Sequence, residues 1–542
     1  YRDLAELNAA YGMEFKGWEE VRPVSFLEAK ARGKWSGWAD HRKFMETSLY
    51  EYFSWLRAEA TALQPNAQIS LSGTQAPHPY NGSDVWLRCS VFDNLWSYQG
   101  SGQYAMHRSF KPELKQMPWT GYAGVGPAQY HGLWHKALNR AHGASYWWFY
   151  QILNPDWRLS PSGRTWAEAM PDLLHGIGKI ILNSEFEDYG IALHYSQDSI
   201  HAAHALDASD ALSGDRDGWL AAVERNQMQA GFLSYEQLER GDLTYPKTRV
   251  FILPYSICLS DREAEAIRAF VRAGGTVIAD AQTGVMDSRC RYREAGAIDD
   301  VLGIRRLSLT PGHVEGNVVY TPPAYWKGAA GELGLKPLEP GIETTTGKAL
   351  ARDAGAPAVI VNRFGKGQAW YLNFDLSKLE MLTKKGQHGP LMTLVWMILE
   401  EAGARPLAVV TGAEGNRLED CQVFAYRRGP IRYLGLLPSP NRTGPAAARL
   451  TIPEGLGLYD VRARKAMPGN DIALAPGVGQ FYALLPYSVR GIEVRAPQAV
   501  RQGEEATVRF QIGADRGTAG DHVVRVTTRG PDGREIYYLC RN

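Results

Sequence analysis

Residues 249–280 read RVFILPYSICLSDREAEAIRAFVRAGGTVIAD, a stretch that can fold in few ways. Val250-Phe251-Ile252-Leu253 is apolar without alternation, which suits a strand covered on both faces. A helix pattern follows, with Asp261 placed to cap its start and Gly274-Gly275 to close it. A second apolar strand, TVIAD, comes next. Strand, helix and strand of this kind imply a doubly wound α/β domain. GIALHYS (190–196), the helix DGWLAAVERNQMQAGF, the strand QAWYLNFDLSK (368–378) and the helix LMTLVWMILEEAG extend it, so the domain is set at 188–403.

Upstream, residues 1–183 alternate helix and strand and are dense in aromatics. A helix is expected over 40–63, and strands over 68–74, 90–98, 113–119 and 144–153. The helix PAQYHGLWHKALNRAHG lies before the last strand, with Gly143 as its stop. Four strands joined by helices make half of an eight-stranded (β/α)8 barrel. Downstream, 404–488 carries short strands between Gly and Pro turns, QVFAYRR, IRYLGLLP, AARLTIP and QFYALLP, as a small antiparallel β domain does. Alternation resumes over 489–542, with a turn at Pro531-Asp532-Gly533. An immunoglobulin-like sandwich takes roughly 100 residues, so this module is expected to be truncated.

At 542 residues the chain exceeds one core, in keeping with several domains. The 59 basic and 58 acidic residues nearly cancel, which gives no reason to expect a nucleic-acid or anionic-membrane partner. No apolar run approaches the roughly 18 residues that cross a bilayer. Tyr1 leads straight into an amphipathic segment (Leu4, Leu7, Ala10), so the N-terminus gives no sign of compartment. The five cysteines, Cys89, Cys258, Cys290, Cys421 and Cys540, are scattered and form no CxxC pair, so neither a disulfide framework nor a zinc site is indicated. The 16 tryptophans and 27 tyrosines suit either sugar-binding walls or a large core.

The segment LAELNAAYG…F…WEEVRP (4–23) resembles the one that follows barrel strand 4 in β-galactosidases of glycoside hydrolase family 42. HGLWHKALNRAHGASYWWFYQ (131–151) is similar to that family's last barrel helix and strand 8. LPYSICLSDREAEAIRAFVRAGGTVIADAQTGVMD (253–287), VLGI (301–304) and NRFGKGQAWYLNF (362–374) resemble its trimerisation domain, which has a glutamine-amidotransferase-like fold without glutaminase chemistry. The resemblance implies strands 5–8 of the barrel, truncation at both ends, a carbohydrate substrate, a homotrimer and no cofactor. It places the acid/base Glu after strand 4, upstream of Tyr1. It places the nucleophile Glu within QMPWTGYAG (116–124), where no carboxylate stands and the position falls on Thr120 or Tyr122.

Retaining glycosidases work with two carboxyl groups roughly 5–5.5 Å apart. Three readings stay open: a barrel that binds without hydrolysing, a divergent hydrolase with its carboxylate elsewhere, or Tyr122 as nucleophile beside a base. Asp93, expected within the strand 90–98, is the carboxylate candidate for the barrel mouth, and backbone hydrogen bonding is its alternative role. Asp156 reads as a turn cap, and Glu19 and Glu20 as solvated. Trp96, Trp119, Tyr122, Trp148 and Tyr150 are candidates for a sugar platform. Alternation splits the last strand, Tyr146, Trp148 and Tyr150 against Trp147 and Phe149, without saying which face lines the barrel. His78, in the loop APHPYNG, is either a substrate contact or a solvated loop residue. His131 and His135 stand four apart on one helix, but no third ligand is near, so the pair reads as packing or surface and no metal is expected. Cys258 lacks the glycines of a nucleophile elbow and reads as a packing residue.

Overall fold

The computed structural model describes residues 1–98, 100–120, 124–147, 149–310, 318–320, 331–353, 355–501 and 503–542. The chain forms two compact units. One comprises Tyr1–Pro118 and Asp188–Arg405, and the other Trp119–Glu187 and Pro406–Asn542.

In the first unit, helix Ser36–Leu63 precedes three parallel strands, Ser70–Thr74, Asn94–Ser97 and Lys115–Gln116. Helices Val85–Val91 and Ser101–Phe110 connect them. The expected strand over 90–98 is corrected: its first residues end a helix, and pairing starts only at Asn94. Asp84 decides this, because its carboxylate accepts from the amides of Trp86 and Leu87 and fixes a helix start that strand propensity does not foresee. Leu95 and Gln116 share the face that packs under the helices, where His107 Nδ1 lies 3.1 Å from Gln116 Oε1. Alternation therefore turns Trp96 and Asn94 to the other face.

The same unit holds a seven-stranded sheet. Strands Gly231–Ser234, Ile191–Tyr195, Val250–Leu253, Thr276–Asp280 and Gly367–Leu372 run parallel in that spatial order. Ala356–Phe364 and Lys348–Asp353 add an antiparallel edge. Every residue of Val250–Leu253 and Thr276–Asp280 is buried, as unbroken apolar strands require. The expected cap is corrected by one residue: Ser260, not Asp261, starts helix Asp261–Ala273. Ser260 and Glu263 form a capping box that satisfies two amides at once. Gly274 closes the helix as expected.

In the second unit, Trp119–Thr120 pairs in parallel with Ser145–Tyr146. The long strand expected over 144–153 is corrected to this two-residue pairing followed by a 3-10 turn, Phe149–Gln151. Helix Pro127–Leu138 ends at Asn139 rather than Gly143, and Arg140 takes the left-handed conformation at φ 62°. A six-stranded antiparallel sheet contains Cys421–Arg428, Ile431–Pro438 and Gln480–Leu485 and recruits Glu185–Phe186 at its edge. Val489–Arg495 and Arg509–Ala514 form a separate antiparallel pair, and Asp532-Gly533 make the expected turn, with Gly533 at φ 78°.

Helix Pro127–Leu138 packs on the six-stranded sheet through Trp134 and Leu138. A Cβ at Gly435 would lie 2.2 Å from Leu138 Cδ2, so any side chain there would force Leu138 to move. Gly435→Val is expected to destabilise the unit by about 1–3 kcal/mol in urea unfolding, the ordinary cost of overpacking. Leu138→Ala added to it should recover part of that loss, and strictly additive effects would argue against this contact.

Candidate functional site

In parallel β/α units, chemistry sits at the C-terminal ends of strands. His78 occupies such a place in the first unit, in the loop after Ser70–Thr74. Its Nδ1 accepts from the Tyr80 amide at 3.2 Å, and its ring lies 5.3 Å from that of His204. Tyr80, which the sequence reading passed over, is the centre of this loop. Its hydroxyl accepts from Trp38 Nε1 at 3.2 Å, and the Arg42 guanidinium lies over its ring at 5.1 Å. Half of Tyr80 remains exposed, so the ring still offers a face. Its place two residues after His78 in a Pro- and Gly-rich loop was the available signal.

Asp93 lies at the opposite end. It precedes Asn94–Ser97, and its carboxylate accepts both Arg57 Nη1 and Nη2 at 2.9 Å and the Ile69 amide at 3.1 Å. Lys111 Nζ stands 3.5 Å away. Burial works to raise its pKa, but the Arg57 and Ile69 hydrogen bonds and the two cations outweigh it and hold the group below its ordinary value. The expected placement toward the barrel mouth is corrected: Asp93 is an ionised, fully partnered carboxylate at the N-terminal end of its strand.

The second unit answers the question of faces. Tyr146 lies 4.1 Å from Trp166, ring to ring, under the helices. Trp147 crosses Trp119 edge-on at 5.3 Å and is half exposed. Trp119 and Trp147 thus form an aromatic corner at the ends of Trp119–Thr120 and Ser145–Tyr146, and Trp147 is the residue that sequence reasoning left out. Tyr150 is exposed in the following turn. Tyr122 and Trp148 lie outside the described residues.

The other candidates settle as structural. His131 and His135 stack at 5.9 Å, and burial, aided by Lys136, pushes His131 down to about 4, so its imidazole is neutral. Among the described residues no group of three or more His, Cys, Asp or Glu could hold a metal ion. Asp156 accepts from the Arg158 amide at 3.1 Å, a local turn. Lys16 donates its amide to exposed Glu20 at 2.9 Å, while Glu19 stays in solvent. Cys258 is completely buried, and burial together with the Cys290 thiol holds its own thiol well above its ordinary value, the reverse of an activated nucleophile.

The segments that follow the five strands, 75–84, 98–100, 117–118, 121–126 and 147–155, contain one carboxylate, Asp84. It is buried, caps helix Val85–Val91 and accepts the Tyr235 hydroxyl at 2.7 Å. Burial, reinforced by the Glu46 charge, pushes Asp84 up to about 7.

Residues 240–385 match the family described as the β-galactosidase trimerisation domain. No curated protein matches the chain in sequence. Among solved structures, it is similar to the β-galactosidase of Bacillus circulans sp. alkalophilus, with 17% identity, a TM-score of 0.69, and coverage of 89% of this chain and 74% of that one. It is also similar to Gan42B, a family 42 β-galactosidase of G. stearothermophilus, at 14% identity, TM-score 0.68, and coverage of 89% and 73%. A third is the β-galactosidase of Rahnella sp. R3, at 16% identity, TM-score 0.67, and coverage of 89% and 74%. At these identities the likeness is one of fold. The chain resembles the family 42 β-galactosidases, with the C-terminal half of a (β/α)8 barrel, a doubly wound α/β domain and β-sandwich modules.

A pH test follows from Asp84. Its proton is held in the folded protein up to about 7 but leaves the unfolded chain near 3.8, so folding stability falls as pH rises between these values. Asp84→Asn keeps the cap and removes this titration. Thermal melts at about pH 4 and pH 8 should show a smaller loss in the variant than in the parent, and equal losses would acquit Asp84.

Proposed function

We propose that this protein acts on carbohydrate as a glycoside hydrolase of β-galactosidase type, and that this chain supplies sugar-holding groups rather than the reacting carboxylates. The observation that carries the reading is the aromatic strand ends without an available Asp or Glu: Trp119, Trp147 and Tyr150 in one unit, Trp96, His78 and Tyr80 in the other. Aromatic faces match the apolar faces of pyranose rings. Hydrolysis needs two carboxyl groups. In this reading both come from residues outside these strand ends, the acid/base Glu from a position upstream of Tyr1. Trp148 and Tyr122 belong to the same aromatic set by sequence, and Tyr122 serves as nucleophile only if a base faces it. The half-barrel, the doubly wound domain and the two β modules fall at 1–183, 188–403, 404–488 and 489–542 in this proposal.

A second reading is favoured by the full engagement of Asp84 and Asp93: a barrel that binds a saccharide without cleaving it. The two readings separate on one preparation. Residues 1–542 are expected to quench tryptophan fluorescence with galactose or lactose and to release no nitrophenol from nitrophenyl β-galactoside. Trp147→Ala should weaken binding about tenfold, the worth of one stacked aromatic. Turnover by residues 1–542 that Tyr122→Phe abolishes would overturn the assignment of chemistry elsewhere. Turnover by a protein that also carries the upstream residues would select hydrolysis over binding.

The match over 240–385 supports a homotrimer. Light scattering is expected to give three times the chain mass, and a monomer at micromolar concentration would count against it.

A further inference from the structure

We propose that the β-rich unit carries a second site, for a small amphipathic anion with an apolar body and one carboxylate, sulfate or sulfonate group. The site is a cavity of about 350 Å³ inside that unit, far larger than the voids of a packed interior and within the range of small-ligand pockets. Its walls are largely apolar: Ile177 and Ile180 from the helical side, Leu485 from the six-stranded sheet, Val461 from the turn after Gly457–Asp460, and Ile492 and Ile512 from the two-stranded sheet.

The opening has a local cause. Helix Pro161–Asp172 contains Pro171, and the next turn, Leu173–Ile177, leaves helical geometry at His175 and Gly176. Gly176 sits at φ 134°, where a side chain is strained, so this stretch of wall presents bare backbone. Val523 Cγ1 lies only 3.4 Å from the place a Gly176 Cβ would take, so the two residues line the cavity side by side.

Charge selects the ligand. Arg462 is committed to Asp172 at 2.7 Å and Arg525 to Glu535 at 2.6 Å. Arg464 also lines the cavity, is exposed at its rim, and has no hydrogen bond or carboxylate partner among the described residues. It stands at φ 56°, a conformation in which an arginine gains nothing locally. An apolar chamber with one uncompensated guanidinium complements an apolar molecule with one anionic group.

The probe is 8-anilinonaphthalene-1-sulfonate, titrated into the whole chain under native conditions and read by fluorescence, with near-UV circular dichroism confirming intact packing. Saturable binding of one molecule per chain is expected. Arg464→Gln should weaken it about tenfold, to the level at which uncharged 1-anilinonaphthalene binds the parent. Ile492→Trp, at a half-exposed rim position, should fill the chamber and abolish binding without unfolding. Arg464→Lys should restore part of the affinity. Decanoate competing with the probe would extend the site to carboxylates, as the proposal requires. No saturable binding to the native chain, or an affinity that Arg464→Gln and Ile492→Trp both leave unchanged, would overturn it.

Discussion

The first unit depends on a buried seam between helix Ser36–Leu63 and helix Gln197–Ala205. Glu46, nearly inaccessible, accepts from Gln197 Nε2 at 2.7 Å and His201 Nε2 at 3.1 Å. One turn away, Lys43 reaches Asp198 at 2.9 Å. Burial works against the Lys43 charge, and Asp198 more than restores it. A buried carboxylate tolerates no missing partner, so rotating the helix by one residue, about 100°, would strand Glu46. The seam continues through Tyr195, whose hydroxyl donates to Gln197 and accepts the Val85 amide, to the start of the next barrel helix. Half-barrel and doubly wound sheet are thus joined by specific polar contacts rather than by apolar area alone.

This seam runs up to the switch point of the doubly wound sheet. Strand order reverses between Ile191–Tyr195 and Val250–Leu253, and folds of this kind bind ligands in the crevice at that point. Here it is filled. His194 links Ser256 Oγ and Glu263 Oε1, each at 3.0 Å, in a chain of serine, imidazole and carboxylate that is wholly buried. The geometry is that of an activated serine, yet Glu263 is held by the helix cap at Ser260 and Lys43 lies on Asp198 beside it.

The parts of this fold that were legible in the sequence are those where pattern and burial agree. Val250–Leu253 and Val277–Ala279 are apolar throughout because both faces are covered, and nothing local competes. The strand Gly231–Ser234 was missed because the expected helix was carried on through Phe232, whereas it ends at Arg225, and Ala356–Phe364 because an antiparallel strand pair carries no helix to announce it. Asp93 shows how a boundary becomes a functional error. Starting the strand at 90 put Asp93 in its interior; starting it at Asn94 puts the carboxylate before it, at the end away from any mouth. The aromatic candidates were legible by type, whereas their facing was not. Only the register of Trp119 on Ser145 and the packing of Tyr146 on Trp166 assign Trp147 its exposure.

Three acids of the barrel segment have a common employment. Asp93 ties the base of its strand to helix Ser36–Leu63 through Arg57, Asp84 starts the next helix, and Glu46 closes the seam. Each is partnered by fixed donors, and a carboxylate so held cannot also swing to a glycosidic oxygen or an anomeric carbon. A general acid must keep a proton near neutral pH and present it to substrate. Asp84 keeps the proton but is sealed beneath Tyr235, while Asp93 is accessible in part but has lost it. The two requirements are divided between residues at opposite ends of the sheet. What stands at the strand ends instead is aromatic, Trp119 and Trp147 among the described residues, and such ring contacts need no proton.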